Sequence, residues 1–158
     1  MVKPARIEGL GAGSQFREAI GQTIETRFDE MMRHKPGTIL GRDPEELHDM
    51  RVASRRLRAA MDVAVDCFPK KYAYYHRTVK QLTDALGGVR DCDVMREALL
   101  TYRDSRPEVE RPAVNRMLQG LKSERDVRRL EMLAFFQRLD DERFDVRFRG
   151  FLAEHSRG

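Results

Sequence analysis

Apolar residues recur along this chain at helical spacing, and the two-residue alternation typical of β-strands is missing from the sequence. The first periodic run has an apolar residue at every fourth position: Phe16, Ile20, Ile24 and Phe28. This stripe predicts a helix from Ser14, which serves as N-cap, to about His34. The Lys35-Pro36-Gly37 sequence should end it, because proline and glycine interrupt helices.

A second helix is predicted to begin at Asp43. Aspartate is a favoured N-cap, Pro44 then occupies the first helical position, and Glu45 and Glu46 place negative charge in the first turn, where the helix dipole favours it. The helix should continue to Cys67 or Phe68, because Pro69 follows there.

Two further helices are predicted from Lys70 to Leu86 and from Val89 to Arg103, separated by a break at Gly87-Gly88. Beyond Pro112 the apolar spacing predicts one long helix, or two helices with a kink near Gly120. A short last helix should follow, capped by Asp140 and Asp141.

Together these patterns predict an all-α fold, an antiparallel bundle of about five to six helices. Residues 14–155 should form a single domain, and residues 1–13, with three glycines and a proline, a flexible N-terminal tail. At 158 residues the chain is long enough to bury a core without disulfides or a structural metal. The two cysteines, Cys67 and Cys92, show no metal-ligand spacing and are expected to be small apolar residues within helices.

The predicted second helix separates into two faces when its residues are placed about 100° apart. Its apolar face contains Met50, Ala53, Leu57, Ala60, Met61, Ala64 and Phe68. Its opposite face carries His48, Arg51, Arg55 and Arg58, with Arg56 beside them. No acidic residue lies three or four positions after these cations until Asp62, so helical ion pairs do not neutralise them.

A nearly single-sign row of arginines about one turn apart favours a bound polyanion. Guanidinium groups present planar pairs of donors that match phosphate oxygens, so a linear chain such as inorganic polyphosphate could lie along this face. His48 adds a donor that gains charge on acidification. The alternative is a solvated basic face, but such faces usually mix charges of both signs.

The distribution of charge along the chain supports a focused basic surface. The net charge is +4, but residues 51–80 carry eight Lys or Arg against Asp62 and Asp66, so the remainder is slightly acidic. Lys80, on the polar side of the next predicted helix, would join the basic face if the two helices pack antiparallel.

No apolar run is long enough for a membrane span and the N-terminus lacks the apolar centre of a signal peptide, so a soluble, cytoplasmic protein is expected.

Two motifs carry a family resemblance. His48-Asp-Met-Arg-Val-Ala-Ser-Arg-Arg-Leu-Arg58 is followed by Leu86-Gly-Gly-Val-Arg-Asp-Cys-Asp-Val94, and in this order they resemble the CHAD domain, the conserved histidine α-helical domain. The motif-bearing stretch covers about residues 44–100, and the helix from Ser14 resembles the helix that precedes it in the family.

The resemblance implies a helical bundle that binds inorganic polyphosphate, often at polyphosphate granules. It adds Arg90 to the recurring basic positions His48, Arg51, Arg55 and Arg58, with Arg56 and Lys80 as additions. It also matches Asp91 and Asp93 to an acidic pair. We interpret Asp91 as an N-terminal cap that orients Arg90, because a carboxylate facing a polyanion would repel it.

One departure from the family concerns the second half of the chain. CHAD domains commonly contain a second basic helix, but no HxxR-type motif follows Arg103, and Arg125, Arg128 and Arg129 are interleaved with acids as on a solvated helix. The chain therefore resembles a half-length or divergent member, and a two-fold dimer would restore the missing basic wall.

Other functions are less well supported by the sequence. Phosphoanhydride hydrolysis generally needs a metal held by carboxylates, and neither an ExExK motif nor a carboxylate cluster lies near the basic face, so no enzymatic activity, metal or cofactor is expected. A generic phosphate-backbone binder for RNA remains an alternative, although the chain has no Trp and its aromatics lie on apolar faces. A helical protein-interaction module is the third possibility.

Overall fold

The computed structural model describes residues 2–5 and 15–157. In these ranges the chain forms the helices α1 (Phe16–Arg33), α2 (Lys35–Leu40), α3 (Pro44–Val63), α4 (Tyr72–Asp104), α5 (Arg111–Asp141) and α6 (Phe144–His155). A short 3-10 turn, Glu108–Glu110, connects α4 to α5. The described ranges contain no strand, which confirms the predicted all-α fold. None of their helices combines the length and the apolar character that a membrane crossing requires.

The three helices that matter most for the site run antiparallel in sequence order. Near the α3–α4 connection the Tyr72 hydroxyl donates to the Met61 carbonyl at 2.7 Å, and much farther along both helices Arg51 of α3 lies against Gly87 of α4. Helix α5 then returns along α4. A contact between these two helices is the hydrogen bond that the Arg125 Nε donates to Asp93 at 2.6 Å. Lys80 therefore does lie on a helix antiparallel to α3, as expected.

The core forms where α1, α3 and α6 pack against the first half of α4 and the last part of α5. Most of the predicted apolar face of α3 is buried, since Met50, Ala53, Leu57, Met61 and Ala64 are all at most 1% exposed, whereas Ala60 and Phe68 are half-buried. Aromatic rings from three helices meet beside it: Phe28 and Tyr75 each have a ring centroid 5.1 Å from that of Phe148. Burial of this face fixes the opposite, charged face of α3 toward solvent.

The distal hairpin, residues 93–131, is the part of α4 and α5 that extends beyond this core. Val114 is the one buried large apolar residue along it. Several large apolar side chains of the hairpin are about half exposed or more: Val94, Met95, Tyr102, Met117, Val127 and Leu130. The hairpin thus has few buried apolar side chains to stabilise it.

Helix α4 corrects the predicted break at Gly87-Gly88. The backbone is helical without interruption from Tyr72 to Asp104, so the two helices predicted there are one. Both glycines lie under arginine side chains from neighbouring helices rather than in a turn. The prediction failed because a glycine pair is a weak local signal that packing from both sides overrides.

Other helix boundaries also differ from the sequence predictions. The Lys35-Pro36-Gly37 segment forms the short helix α2 instead of a plain stop, and α3 ends at Val63, which leaves Cys67 in a turn. Helix α5 is a single helix without an interruption at Gly120, which agrees with the first of the two predicted alternatives. Helix α6 begins after Arg143, whose φ of 53° is left-handed, and neither Asp140 nor Asp141 caps it.

The described part of the predicted tail is held against the bundle. The Ala5 amide donates to the Oε1 of Glu30 at 2.8 Å, and Arg27 donates to the Ala5 carbonyl at 3.0 Å and to Glu30 at 2.9 Å. The Glu30 side chain is only 3% exposed, so its charge requires these partners. Residues 6–13 of the tail and the predicted N-cap Ser14 lie outside the described residues.

Candidate functional site

The start of α3 is set by the predicted cap. The Asp43 carboxylate accepts a hydrogen bond from the Glu45 amide at 2.9 Å, and Pro44 is the first helical residue. This cap fixes where the helix begins, and the buried apolar face fixes its rotation. Together they determine which α3 side chains point to the solvent-exposed boundary between α3 and α4.

There α3, α4 and α5 enclose an open groove of about 660 Å³, hereafter the arginine groove. Its lining residues are Arg51, Arg55, Arg58, Ala59, Asp62, Thr83, Asp84, Gly87, Gly88, Asp91 and Arg128. The structure therefore brings together three of the four cationic positions predicted on one face of α3. It adds Arg128, which the sequence pattern had assigned to a solvated helix.

The three α3 arginines in the groove have few competing partners. In the described ranges, no carboxylate oxygen lies within 4 Å of a guanidinium nitrogen of Arg51, Arg55 or Arg58. The Nε of Arg51 is buried and has no hydrogen-bond partner among those residues. Buried donors are normally paired, so this N–H is available to an acceptor that enters the groove.

The glycine pair of α4 forms the floor between these arginines. A Cβ added to Gly87 would lie 3.4 Å from the Arg51 Nε, and one added to Gly88 would lie 3.5 Å from the Cδ and from one terminal nitrogen of Arg128. The two arginines therefore lie directly over the α4 backbone, one from α3 and one from α5. Larger side chains at either glycine would lift them away.

Three aspartates share the groove with the arginines. Asp62 ends the basic face of α3 and is within 2.6 Å of the Nε2 of His76, whereas Asp84 and Asp91 are exposed on α4. Asp91 lies in the middle of α4, so the interpretation of this residue as an N-terminal cap is wrong. The groove is cationic on the α3 and α5 sides and carries two carboxylates on its α4 side.

His48 lies one turn before Arg51, just outside the residues that line the groove. It is half-buried, and its Nδ1 is buried without a hydrogen-bond partner in the described part of the chain. Possible ligand atoms of Glu45, His48 and Asp49 lie within 4.8 Å of one another. This is the one group of three potential metal ligands in residues 2–5 and 15–157, and it is separate from the groove.

Arg56 is not in the groove. Its terminal nitrogen donates to the Val2 carbonyl at 2.8 Å, and its other terminal nitrogen is 3.8 Å from the Oε1 of Glu30. One step along a helix rotates a side chain by about 100°, which turns Arg56 away from Arg55 toward α1. It anchors the N-terminal segment instead.

Lys80 and Arg90 both lie on α4, outside the residues that line the groove. Lys80 is exposed and one turn before Asp84, whereas Arg90 is half-buried and immediately precedes Asp91. The structure places both on the helix that borders the groove without bringing either into its lining.

The arginine cluster of α5 divides into different roles. Arg125 pairs with Asp93 at 2.6 Å, and Arg129 donates to the carbonyls of Thr38 and Ile39 at 3.1 and 2.6 Å. Only Arg128 of this cluster lines the groove. Nearby, burial within α4 raises the pKa of the Cys92 thiol, so this cysteine is a buried, neutral side chain as expected.

The fold and the groove define an all-α bundle in which three helices line one open groove and two of them, α3 and α5, direct arginines into it. The sequence matches the family model of the CHAD domain over residues 22–158, well beyond the motif-bearing stretch. The chain therefore belongs to the CHAD-domain family. Searches of curated proteins and of solved structures found no significant match.

Proposed function

We propose that this protein binds inorganic polyphosphate in the arginine groove and does not hydrolyse it. The observation that carries this proposal is the alignment of Arg51, Arg55 and Arg58 on successive turns of α3, in one groove and without ion-pair partners among the described residues. Membership of the CHAD family supports the same ligand, because the resemblance implies polyphosphate binding.

The spacing of these arginines suits a repeating anion. Positions 51 and 58 are separated by about 10 Å along the helix axis, with Arg55 between them. A chain with a negative charge on every unit can contact each guanidinium in turn, whereas a single phosphate can contact only part of the row. Each charge-assisted contact is expected to contribute about 1.5–3 kcal/mol.

Non-catalytic binding fits the carboxylates of the groove. Hydrolysis of a phosphoanhydride generally depends on a metal that several close oxygen ligands hold next to the phosphates. Among the described residues, Asp62, Asp84 and Asp91 do not form a group of three ligand atoms within 4.8 Å. We propose that these aspartates limit the charge of the groove rather than assemble a catalytic centre.

Competition between matched polyanions tests the proposal. A labelled polyphosphate bound to the protein should be displaced far better by unlabelled long-chain polyphosphate than by RNA of equal total charge. Among the described residues, the groove lining contains no aromatic side chain on which bases could stack, so RNA should bind only through its phosphate backbone. Equal displacement would indicate a generic phosphate-backbone binder.

The same titration at two salt concentrations gives a second, independent measurement. Binding that depends on ion release should weaken as salt rises, with a slope set by the number of neutralised phosphates. No binding of either polyanion at low salt would contradict the proposal and favour a protein-interaction module. We further propose a cytoplasmic protein that associates with polyphosphate granules, which co-sedimentation with isolated granules would check.

A further inference from the structure

We propose that Arg128 is a further polyphosphate-binding residue and that Gly88 positions it, so that the bound chain crosses α4 instead of only following α3. The inference rests on the proposed function. Arg128 is the one α5 side chain that lines the arginine groove, which it shares with the three arginines of α3.

Arg128 packs directly against Gly88, where a methyl group would still make an ordinary van der Waals contact but a longer side chain would compete with Arg128 for space. The Cδ and a terminal nitrogen of Arg128 lie 3.5 Å from where a Cβ on Gly88 would be, next to the site where Arg51 covers Gly87. The two arginines thus contact adjacent backbone units of α4, one from α3 and one from α5. Asp84 and Asp91 lie one turn before and one turn after the glycine pair, so the α4 surface is free of side chains only at Gly87 and Gly88.

Arg128 is also held less firmly by other protein groups than Arg125 and Arg129 are. Its partner in the described residues is Glu124, at 3.5 Å and one turn earlier on the same helix, and both side chains are about half exposed. Pairs of this kind contribute little and exchange readily. Arg125 and Arg129, in contrast, are held by Asp93 and by backbone carbonyls. A phosphate in the groove can therefore replace Glu124 as the partner of Arg128.

The substitution Arg128→Gln tests the binding role, with Arg116→Gln as control. Arg116 is exposed on the same helix, three turns earlier and outside the groove lining. We expect Arg128→Gln to raise the Kd for long-chain polyphosphate about tenfold, as loss of a charged hydrogen bond does. Arg116→Gln should change it less than twofold. Both proteins should have the wild-type circular dichroism spectrum.

The outcome separates this inference from the proposed function. If Arg51→Ala weakens binding and Arg128→Gln does not, the anion follows α3 alone and the role of Arg128 is refuted. If the wild-type protein does not bind polyphosphate, the proposed function itself fails.

The substitution Gly88→Leu tests the positioning role, with Gly120→Leu as its match. Both change a glycine inside a long helix, but a Cβ on Gly120 would meet no atom of the described residues within 4 Å. We expect Gly88→Leu to weaken binding about as much as Arg128→Gln, and Gly120→Leu to leave it unchanged. The double variant Gly88→Leu/Arg128→Gln should bind no more weakly than either single variant, because both remove the same contact. Additive losses would show that Gly88 does not act through Arg128.

Discussion

Arg55 and Arg56 are neighbours in sequence but have different partners. Arg55 is exposed in the groove, whereas Arg56 is bound by Glu30 and by the Val2 carbonyl. The rotation of one helical step separates a side chain available to a ligand from one that supports the fold. Because the two residues are chemically identical, they form a matched pair for mutagenesis.

We predict that Arg55→Ala weakens polyphosphate binding by about 1.5–3 kcal/mol without lowering stability, and that Arg51→Ala weakens it similarly. Arg56→Ala should leave affinity nearly unchanged and lower the free energy of unfolding by about 1 kcal/mol, because the buried Glu30 loses a partner. Isothermal titration and urea denaturation of the three variants measure both effects. A larger loss of affinity in Arg56→Ala than in Arg55→Ala would contradict the assignment of the groove.

Substitutions of the α4 aspartates should strengthen polyphosphate binding, in contrast to substitutions of the arginines. Replacing Asp84 or Asp91 by Asn removes a negative charge from the groove lining and should strengthen binding in metal-free buffer by about 0.5–1 kcal/mol each. Titration of both variants with EDTA present checks this. Weaker binding of the Asn variants would instead mean that these carboxylates contact the ligand favourably, for example through a bridging cation.

His48 should contribute a hydrogen-bond donor beside the row of arginines. Its Nδ1 is buried without a partner among the described residues, one turn before Arg51. His48→Ala should therefore weaken polyphosphate binding by about 0.5–1.5 kcal/mol, as loss of a hydrogen bond does. Isothermal titration measures this, and an unchanged affinity in the variant would exclude this role of the histidine.

Helix α4 shows which part of the site a sequence can reveal. The positions of Arg51, Arg55 and Arg58 follow from helical periodicity alone, because they share one element and one face. Arg128, Asp84 and Asp91 could not be found this way, since they reach the groove only through the packing of α4 and α5. The Leu86-Gly-Gly sequence was the available signal, but it was interpreted as a break instead of as space for crossing arginines.

A glycine inside a long helix lowers the free energy of unfolding, and this effect can be measured at a position where the glycine has no packing role. Gly120 lies inside α5 with open space around its Cα. Gly120→Ala should raise the free energy of unfolding by about 0.5–1 kcal/mol, because alanine has the higher helix propensity. The urea midpoint should shift upward with an unchanged slope, and polyphosphate affinity should stay the same. An unchanged or lower midpoint would mean that α5 is locally less helical than described.

For the whole molecule, the sequence predicted the all-α class of the fold but not the lengths of the two long helices. Periodicity predicted the all-α class, and the cap at Asp43 predicted the start of α3. Most of the predicted apolar face of α3 is buried, although Phe68 lies beyond the end of the helix. The continuity of α4 and α5, and hence the length of the distal hairpin, depends on tertiary packing that local patterns do not contain. The two-fold dimer suggested by the family resemblance stays a prediction. A sedimentation measurement that finds a monomer with undiminished affinity would remove it.

The two halves of α4 should differ in local stability, because only the first half is packed in the core and the second belongs to the distal hairpin. Residues 72–92 of α4 are anchored by the core, but from residue 93 to the end of the helix the described structure buries no side chain. Opening of that outer half should need only a fraction of the energy of global unfolding. Amide hydrogen exchange should therefore be slow before Asp93 and progressively faster toward Asp104. Uniform protection along α4 would show that something else covers the hairpin in solution.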